Sequence, residues 1–152
     1  FGEDEEEWGL TGLIHDIGKI QVPADILTKP GKLTEAEIEL VRAHPQVGHD
    51  ILRTIEFPWP IAEIVYQHHE RMDGSGYPRH LKAELILFEA RILAVADVVE
   101  AMASHRPYRP ALGVESALEH VSEFKGILND TQVVDVCLKL FSKNNAFFSG
   151  LS

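Results

Sequence analysis

The chain has 152 residues, 45% of them hydrophobic and 25% charged, a composition that suits one soluble domain with a single sizeable core. The formal net charge of −10 argues against duplex nucleic acid as a partner, but not against a small anionic ligand, because bound metal ions can reverse the local field. No apolar run approaches the roughly 20 residues that span a bilayer. The acidic start, Phe1–Glu7, is unlike a secretory signal, and the single cysteine, Cys137, excludes an internal disulfide framework, so we expect a cytoplasmic protein.

The patterns in the first half of the chain predict helices separated by glycine and proline. A first helix is expected from about Asp4 to Ile17, with Gly18 as its C-terminal stop. Residues 20–32 hold two prolines and a glycine and are predicted to be mostly loop with one short turn. Thr34–Glu37 forms a capping box that opens the next helix. Pro45 starts a further helix and biases the preceding residue, His44, out of the helical region.

The second half of the chain continues the helical pattern. Pro60 opens a helix that ends near His69 and is followed by a glycine-rich loop. No convincing period-two alternation appears, so the sequence predicts an all-α domain. The remaining predicted segments are the loop Asp73–Pro78, a long apolar helix over Ile86–Met102, and two amphipathic helices over about Val114–Phe124 and Thr131–Phe141.

Asp97 is the strongest candidate for a functional residue. Its helix is apolar nearly all round, which predicts burial at the centre of the domain. An ionised carboxylate there is costly unless it is paired or bound to a metal. The alternatives are a salt bridge to an arginine and a cap that Asp97 provides to another helix.

Two adjacent pairs at predicted helix ends, His15–Asp16 and His68–His69, are further candidates. Neighbours on a helix point about 100° apart, so both members can reach one centre only near the end of the helix. The alternative is a structural or solvated pair. With His44 and Asp97 these residues form a mixed imidazole and carboxylate set that suits Fe, Mn or Zn better than Ca or Mg. Six ligands are too many for one tetrahedral ion, which indicates two or more metals.

Several long strings in the chain resemble the motifs of the HD-GYP subgroup of the HD phosphohydrolases. The match covers about Leu10 to Phe141, and the strings occur in the family's order. They are LIHDIGKI from Leu13, KPGKLT from Lys29, HPQVG from His44, HHERMDGSGYP from His68, ARILAVAD from Ala90 and RPYR from Arg106.

The resemblance implies an all-α HD-domain helical bundle that hydrolyses cyclic di-GMP with two or three divalent metal ions, Fe or Mn first and Zn as a further candidate. It assigns the metal ligands to His15, Asp16, His44, His68, His69 and Asp97, with Asp16 bridging two ions and serving catalysis. It assigns Lys19 to catalysis and phosphate contact, although a solvated surface lysine is the alternative. The residues that it assigns to substrate binding are Lys19, Arg71, Asp73, Gly76, Tyr77, Pro78, Arg106 and Arg109.

The chain also departs from the family pattern. Ala83 stands where a glycine is usual, and we interpret this as a packing change. Family members carry further helices with another histidine before the HD motif, whereas no histidine precedes His15 here. We therefore expect residues 1–152 to be an HD-GYP domain that lacks its first helices, with an upstream sensory or receiver domain in the full-length protein.

The function that the sequence predicts is metal-assisted hydrolysis, in which water attacks phosphorus in line with the departing 3′ oxygen. The product is linear pGpG, with GMP after a second cut. The rival is a non-catalytic module that binds nucleotide or diguanylate cyclase (GGDEF) partners through the face formed by Gly76, Tyr77 and Pro78. A general HD nucleotidase is a third hypothesis, against which the GYP and RPYR strings argue.

Overall fold

A computed structural model describes residues 2–105 and 110–148, with side chains described for 7–105 and 110–143. Within these residues every regular element is a helix and there is no β-strand, which confirms the all-α prediction. Two short 3-10 helices, Ile17–Gln21 and Ala83–Leu85, accompany the α-helices. The α-helices are α1 (Gly2–Ile14), α2 (Ala24–Leu27), α3 (Glu35–Arg42), α4 (His44–Leu52), α5 (Ile61–Gln67), α6 (Phe88–Ala103), α7 (Val114–Glu123) and α8 (Thr131–Phe148).

The end of the first helix differs from the prediction. Helix α1 stops at Ile14, three residues early, and the chain then tightens into the 3-10 helix. Gly18 lies inside that 3-10 helix and is not the stop of α1. A Cβ on Gly18 would lie 1.9 Å from the carbonyl oxygen of His44, so only glycine lets the first turn of α4 come this close. The segment over residues 20–32 agrees with the prediction, because α2, of four residues, is the one short turn within the loop.

The junction between α3 and α4 shows what local sequence can and cannot predict. The capping box is confirmed, because the Thr34 side chain accepts from the Glu37 amide and the Glu37 side chain accepts from the Thr34 amide. Pro45 lies in the first turn of α4, as predicted. The expectation that His44 lies outside the helix was wrong, since α4 begins at His44 and a single residue, Ala43, separates the two helices.

Apolar side chains pack in three clusters around α5 and α6. Burying one such side chain fully stabilises the fold by about 1.5–3 kcal/mol. Helix α6 joins two of the clusters, and α5 joins the third to α1. The clusters are centred on Ile64, Ile86, Ala90 and Leu93; on Val95, Val99, Val121 and Val134; and on Leu52, Ile61 and Val65.

Helix α6 is not buried all round, contrary to the expectation from its composition. Ala96 and Phe88 are exposed on one side of it. This side forms the wall of an apolar groove of about 700 Å³ that α8 and the first residue of α7 complete. Among the described residues, none of the helices combines the length and the apolar character that crossing a bilayer requires.

Ala83 lies in a left-handed backbone conformation with φ of +40°. A Cβ is disfavoured in this region by roughly 1–2 kcal/mol, whereas glycine is tolerated. The departure from the family glycine is therefore a backbone effect and not the packing change that we expected.

Candidate metal centre and cleft

Four segments bring the six predicted metal ligands together. His15 and Asp16 follow α1, His44 begins α4, His68 and His69 follow α5, and Asp97 lies within α6. The ligand atoms of Asp16, His44, His68 and His69 lie within 4.8 Å of one another, and so do those of His15, Asp16 and Asp97. Asp16 belongs to both groups, so the geometry allows its carboxylate to bridge two ions.

Three of the imidazoles are held by the same kind of hydrogen bond. In each, Nδ1 lies within hydrogen-bonding distance of the carbonyl oxygen three residues earlier: 2.7 Å from His15 to Gly12, 2.6 Å from His44 to Val41 and 2.5 Å from His68 to Val65. A carbonyl can only accept, so Nδ1 carries the proton and donates it. In the neutral ring, Nε2 is then an acceptor, and a bond of this kind is typical of histidines that bind metals.

The resulting arrangement places acceptors opposite one another. His44 Nε2 lies 3.4 Å from His68 Nε2, and the two lie 3.3 and 3.8 Å from Asp16 Oδ1. That oxygen is buried and has no hydrogen-bond partner among the described residues. A cation satisfies all three acceptors at once, so this donor set fits a metal ion.

The second group has two carboxylates around one imidazole. His15 Nε2 lies 3.3 Å from Asp16 Oδ2 and 3.4 Å from Asp97 Oδ1. Hydrogen bonding to Asp16 and then to Asp97 raises the pKa of His15 to about 10. Burial opposes ionisation of Asp16, but hydrogen bonding with His15 and the charge of Lys19 lower its pKa on balance. The two carboxylates thus favour a positive charge at this position.

Asp97 has no arginine or lysine partner within 4.0 Å in the part of the chain described. Its ion-pair partners are His15 and His69, whose Nε2 lies 4.0 Å from Asp97 Oδ2. The buried salt bridge to an arginine, which the sequence left open, is therefore absent from the described residues. This geometry agrees with a role for Asp97 as a metal ligand.

His69 lies in a different environment from the other imidazoles. Its ring stacks on that of Tyr77, with 4.9 Å between the centroids and 11° between the planes. Burial, followed by the neighbouring His68 and His44, lowers the pKa of His69. The ring is therefore neutral at physiological pH, which is the form that binds a metal.

The glycine-rich loop is fixed against the end of α5. A Cβ on Gly76 would lie 2.4 Å from the carbonyl oxygen of His69, so the loop can pack here only with glycine. The Tyr77 amide donates to the same carbonyl over 3.2 Å. The buried Glu70 carboxylate accepts from the amides of Arg79, at 2.7 Å, and Leu81, at 3.0 Å. Sequence reasoning missed Glu70, for which its place beside the histidine pair was the only signal.

The remaining residues that were predicted to bind substrate lie in different environments. Arg71 is partly buried, and this burial lowers its pKa; its guanidinium donates to the Glu70 carbonyl over 3.3 Å. Asp73 is exposed and accepts from the Ser75 amide over 2.9 Å, so it shapes the turn. Pro78 follows Tyr77 through a cis peptide bond. Arg106 and Arg109 lie outside the described residues.

A cleft of about 870 Å³ opens beside the cluster. His44, His69 and Asp97 contribute to its lining, together with Tyr77. Lys19 also lines it, and its ammonium group donates to Asp16 Oδ2 over 3.1 Å. The rest of the lining is largely apolar and consists of Ile26, Leu27, Gly31, Lys32, Leu33, Ile38, Val41 and Ala101. The cleft thus combines a ligand cluster for metals, cationic side chains and an apolar wall.

Comparison with known proteins identifies the family of this chain. The sequence profile of the HD domain matches residues 2–133, and the chain belongs to the HD-domain family, in its HD-GYP branch. It is 45% identical over 144 residues to the cyclic di-GMP phosphodiesterase response regulator RpfG of Xanthomonas campestris pv. campestris; the match covers 91% of this chain and 38% of the relative. It is also 40% identical over 131 residues to the 3′3′-cGAMP-specific phosphodiesterase 1 of Vibrio cholerae, covering 86% and 30%.

A solved structure shares the fold. An HDG"Y"P protein from Bdellovibrio bacteriovorus superposes with a TM-score of 0.72 at 16% identity, over 92% of this chain and 44% of that one. This likeness supports the helical architecture alone. The chain spans less than half the length of each of these proteins, so their full activity does not transfer to it directly.

Proposed function

We propose that this domain is a metal-dependent phosphodiesterase that hydrolyses cyclic di-GMP to linear pGpG, and to GMP after a second cut. The observation that carries the proposal is the shared Asp16 carboxylate between two groups of ligand atoms, beside a cleft of about 870 Å³. Relatives named as cyclic di-GMP phosphodiesterases support this substrate class.

The geometry supports the ligand assignments. Asp16, His44, His68 and His69 would hold one ion, and His15, Asp16 and Asp97 another. Mixed imidazole and carboxylate ligation favours Fe or Mn, with Zn as a further candidate. When bound, such ions supply a nucleophile from water at neutral pH and neutralise the charge on the phosphoryl oxygens.

The other residues of the chain bind and orient the substrate. Lys19, whose ammonium group lies beside Asp16, donates to the reacting phosphate. By resemblance, Arg106 and Arg109 contact phosphate as well. Tyr77 lines the cleft, and Gly76 sets its position against His69. Arg71, Asp73 and Pro78 complete the loop that flanks the pocket.

The experiment is elemental analysis combined with a turnover assay on protein reconstituted with Fe, Mn or Zn. We expect about two equivalents of metal, or three if a further ligand joins the set, and conversion of cyclic di-GMP to pGpG. Cyclic di-GMP and 3′3′-cGAMP are assayed in parallel, because relatives are named for both cyclic dinucleotides. His120→Gln, on α7 and away from the cluster, is the control that should leave metal content unchanged.

Three outcomes contradict the proposal in different ways. Absence of metal after reconstitution would remove the site. Full metal content with nucleotide binding but no turnover would favour the non-catalytic module, with GGDEF-domain proteins as its proposed partners. Hydrolysis of mononucleotides in preference to cyclic dinucleotides would favour a general nucleotidase.

A further inference from the structure

The cleft holds a second lysine that the metal cluster does not engage. Lys19 and Lys32 both line it, but they differ in their surroundings. The ammonium group of Lys19 lies 3.1 Å from the cluster carboxylate of Asp16. Lys32 is exposed and forms no ion pair with any residue in the described ranges. Its positive charge is therefore available to a ligand in the cleft.

The loop that carries Lys32 is fixed on both sides by one glutamate. Before it, Lys29 Nζ donates to both carboxylate oxygens of Glu37, at 3.0 and 2.9 Å. After it, Thr34 and Glu37 exchange the two hydrogen bonds of the capping box. Gly31, with φ of +89°, makes the turn between them. The two lysines of this string thus have separate roles, since Glu37 neutralises Lys29 and leaves Lys32 charged.

The neighbours of Lys32 in the lining are apolar. Leu33 follows it directly, and Ile26, Leu27 and Ile38 line the same cleft. A solvated surface lysine is the ordinary interpretation of an exposed ammonium group. Here the charge lies on a fixed loop, at a cleft whose apolar wall suits the face of a nucleobase. A ligand that combines bases with more than one phosphate matches this pattern.

We propose that Lys32 binds the second, non-reacting phosphate of the cyclic dinucleotide, while Lys19 serves the phosphate at the metal cluster. The proposal rests on the proposed function, because a substrate with two phosphates is what requires a cation away from the cluster. Lys32 is then a residue that distinguishes cyclic dinucleotides from simple phosphodiesters.

The test compares two substrates in the metal-loaded protein. Lys32→Met should raise KM for cyclic di-GMP by about 10-fold, since a hydrogen bond to a charged group contributes at least this much, and leave kcat within about two-fold. With bis(p-nitrophenyl) phosphate, which has one phosphate, KM and kcat should stay unchanged. Lys32→Arg should retain most of the affinity. Lys139→Met, on the exposed face of α8, makes the same change in net charge and should alter neither substrate.

The outcomes distinguish a failure of the Lys32 assignment from a failure of the proposed phosphodiesterase function. If the wild-type protein turns over cyclic di-GMP and Lys32→Met leaves its KM unchanged, the assignment of Lys32 alone is wrong. An equal loss on both substrates would place Lys32 at the reacting phosphate and overturn the assignment to the distal one. If the fully loaded wild type turns over no cyclic dinucleotide, the proposed function fails, and this inference with it.

Discussion

Two clusters of charge lie close to α6, one around Asp16 and the other around Arg91, and they differ in how completely the protein satisfies them. Arg91 donates to the carbonyls of Ile86, at 3.0 Å, and Ala83, at 2.8 Å, and to Asp130 Oδ2, at 3.1 Å. The other oxygen of Asp130 accepts from the Val133 amide and caps α8. Every strong donor and acceptor in this second cluster has a partner within the chain.

The cluster around Asp16 shows the opposite pattern. In the part of the chain that the structure describes, the Oδ1 atom of Asp16 lacks a hydrogen bond, and the Nε2 atoms of His44 and His68 face each other as acceptors. A buried acceptor without a donor costs about 1–3 kcal/mol, so a protein keeps several of them together only where a ligand satisfies them. The comparison therefore distinguishes a charge cluster that is satisfied within the fold from one whose unsatisfied acceptors fit an ion.

The largest expected effect tests the ion-binding cluster. Asp16→Asn keeps the shape of the side chain but removes the negative charge shared by both groups of ligands. We expect turnover to fall by more than the 10- to 100-fold that is typical of losing an outer partner of a metal ligand, and metal content to fall with it. The far-UV circular dichroism spectrum should stay that of the wild type. Full metal content in this variant would show that Asp16 is not a shared ligand.

The next effect tests the satisfied cluster. Arg91→Met leaves the Asp130 carboxylate and two carbonyls without their donor and should lower the free energy of unfolding by about 3 kcal/mol, at the lower end for a buried pair because both side chains are partly exposed. Metal bound per folded molecule should not change. Urea denaturation and elemental analysis on one sample measure both quantities. As a control, Lys125→Met breaks the more exposed pair with Asp135 and should lower the free energy of unfolding by under about 1 kcal/mol. Equal losses in the two variants would show that the pair of Arg91 and Asp130 does not stabilise the fold more than an exposed pair.

A smaller effect is a pH dependence of the metal-free protein. The pKa of His15 is raised to about 10 in the folded state, from 6.5. A raised pKa stabilises the fold fully below pH 6.5, and this stabilisation is lost as the pH rises through about 10. His68 and His69, whose pKa values burial lowers, act in the opposite sense below pH 6.5 and do not contribute above it. Burial also raises the pKa of the Cys137 thiol above 9.0, so this thiol contributes only near the top of the window and equally in variants of His15.

Urea midpoints between pH 6.5 and 10, measured with a chelator present, test this dependence. The wild type should lose stability across that range relative to His15→Gln, which has no imidazole to titrate. Metal-loaded wild type should lose this slope, because an ion takes the place of the proton. Parallel curves for the two metal-free proteins would show that the two carboxylates do not hold a proton on His15.

The smallest effect concerns the backbone beside the satisfied cluster. Ala83→Gly should raise the free energy of unfolding by up to about 1 kcal/mol, because relief of the left-handed strain outweighs the greater entropy of the unfolded chain. Ala36→Gly, within helix α3, should change stability in the opposite direction by about 0.5–1 kcal/mol. A loss of stability in both variants would mean that φ at Ala83 carries no strain.

The sequence by itself determined the features that depend on neighbours in the chain. The period of its apolar residues predicted an all-α domain, and Thr34 and Glu37 predicted a helix start that depends on residues three apart. The order of its motifs was enough to propose all six ligands. That the two adjacent pairs, His15–Asp16 and His68–His69, lie at helix ends also followed locally, since adjacent residues share a centre only there.

Only the tertiary structure decided which of these groups meet and in what state. The distances between Asp16, His44 and His68 depend on how α1, α4 and α5 pack, and no local pattern records that packing. The same packing gives Gly18 its role, because the atom that excludes a Cβ there belongs to His44, 26 positions along the chain. The alanine at position 83, where the family has glycine, was likewise interpreted as a packing change, and only its φ in the folded chain showed a backbone effect. Local sequence fixes the conformation of short segments, whereas the balance of satisfied and unsatisfied polar atoms depends on contacts between distant segments, and only the folded chain determines it.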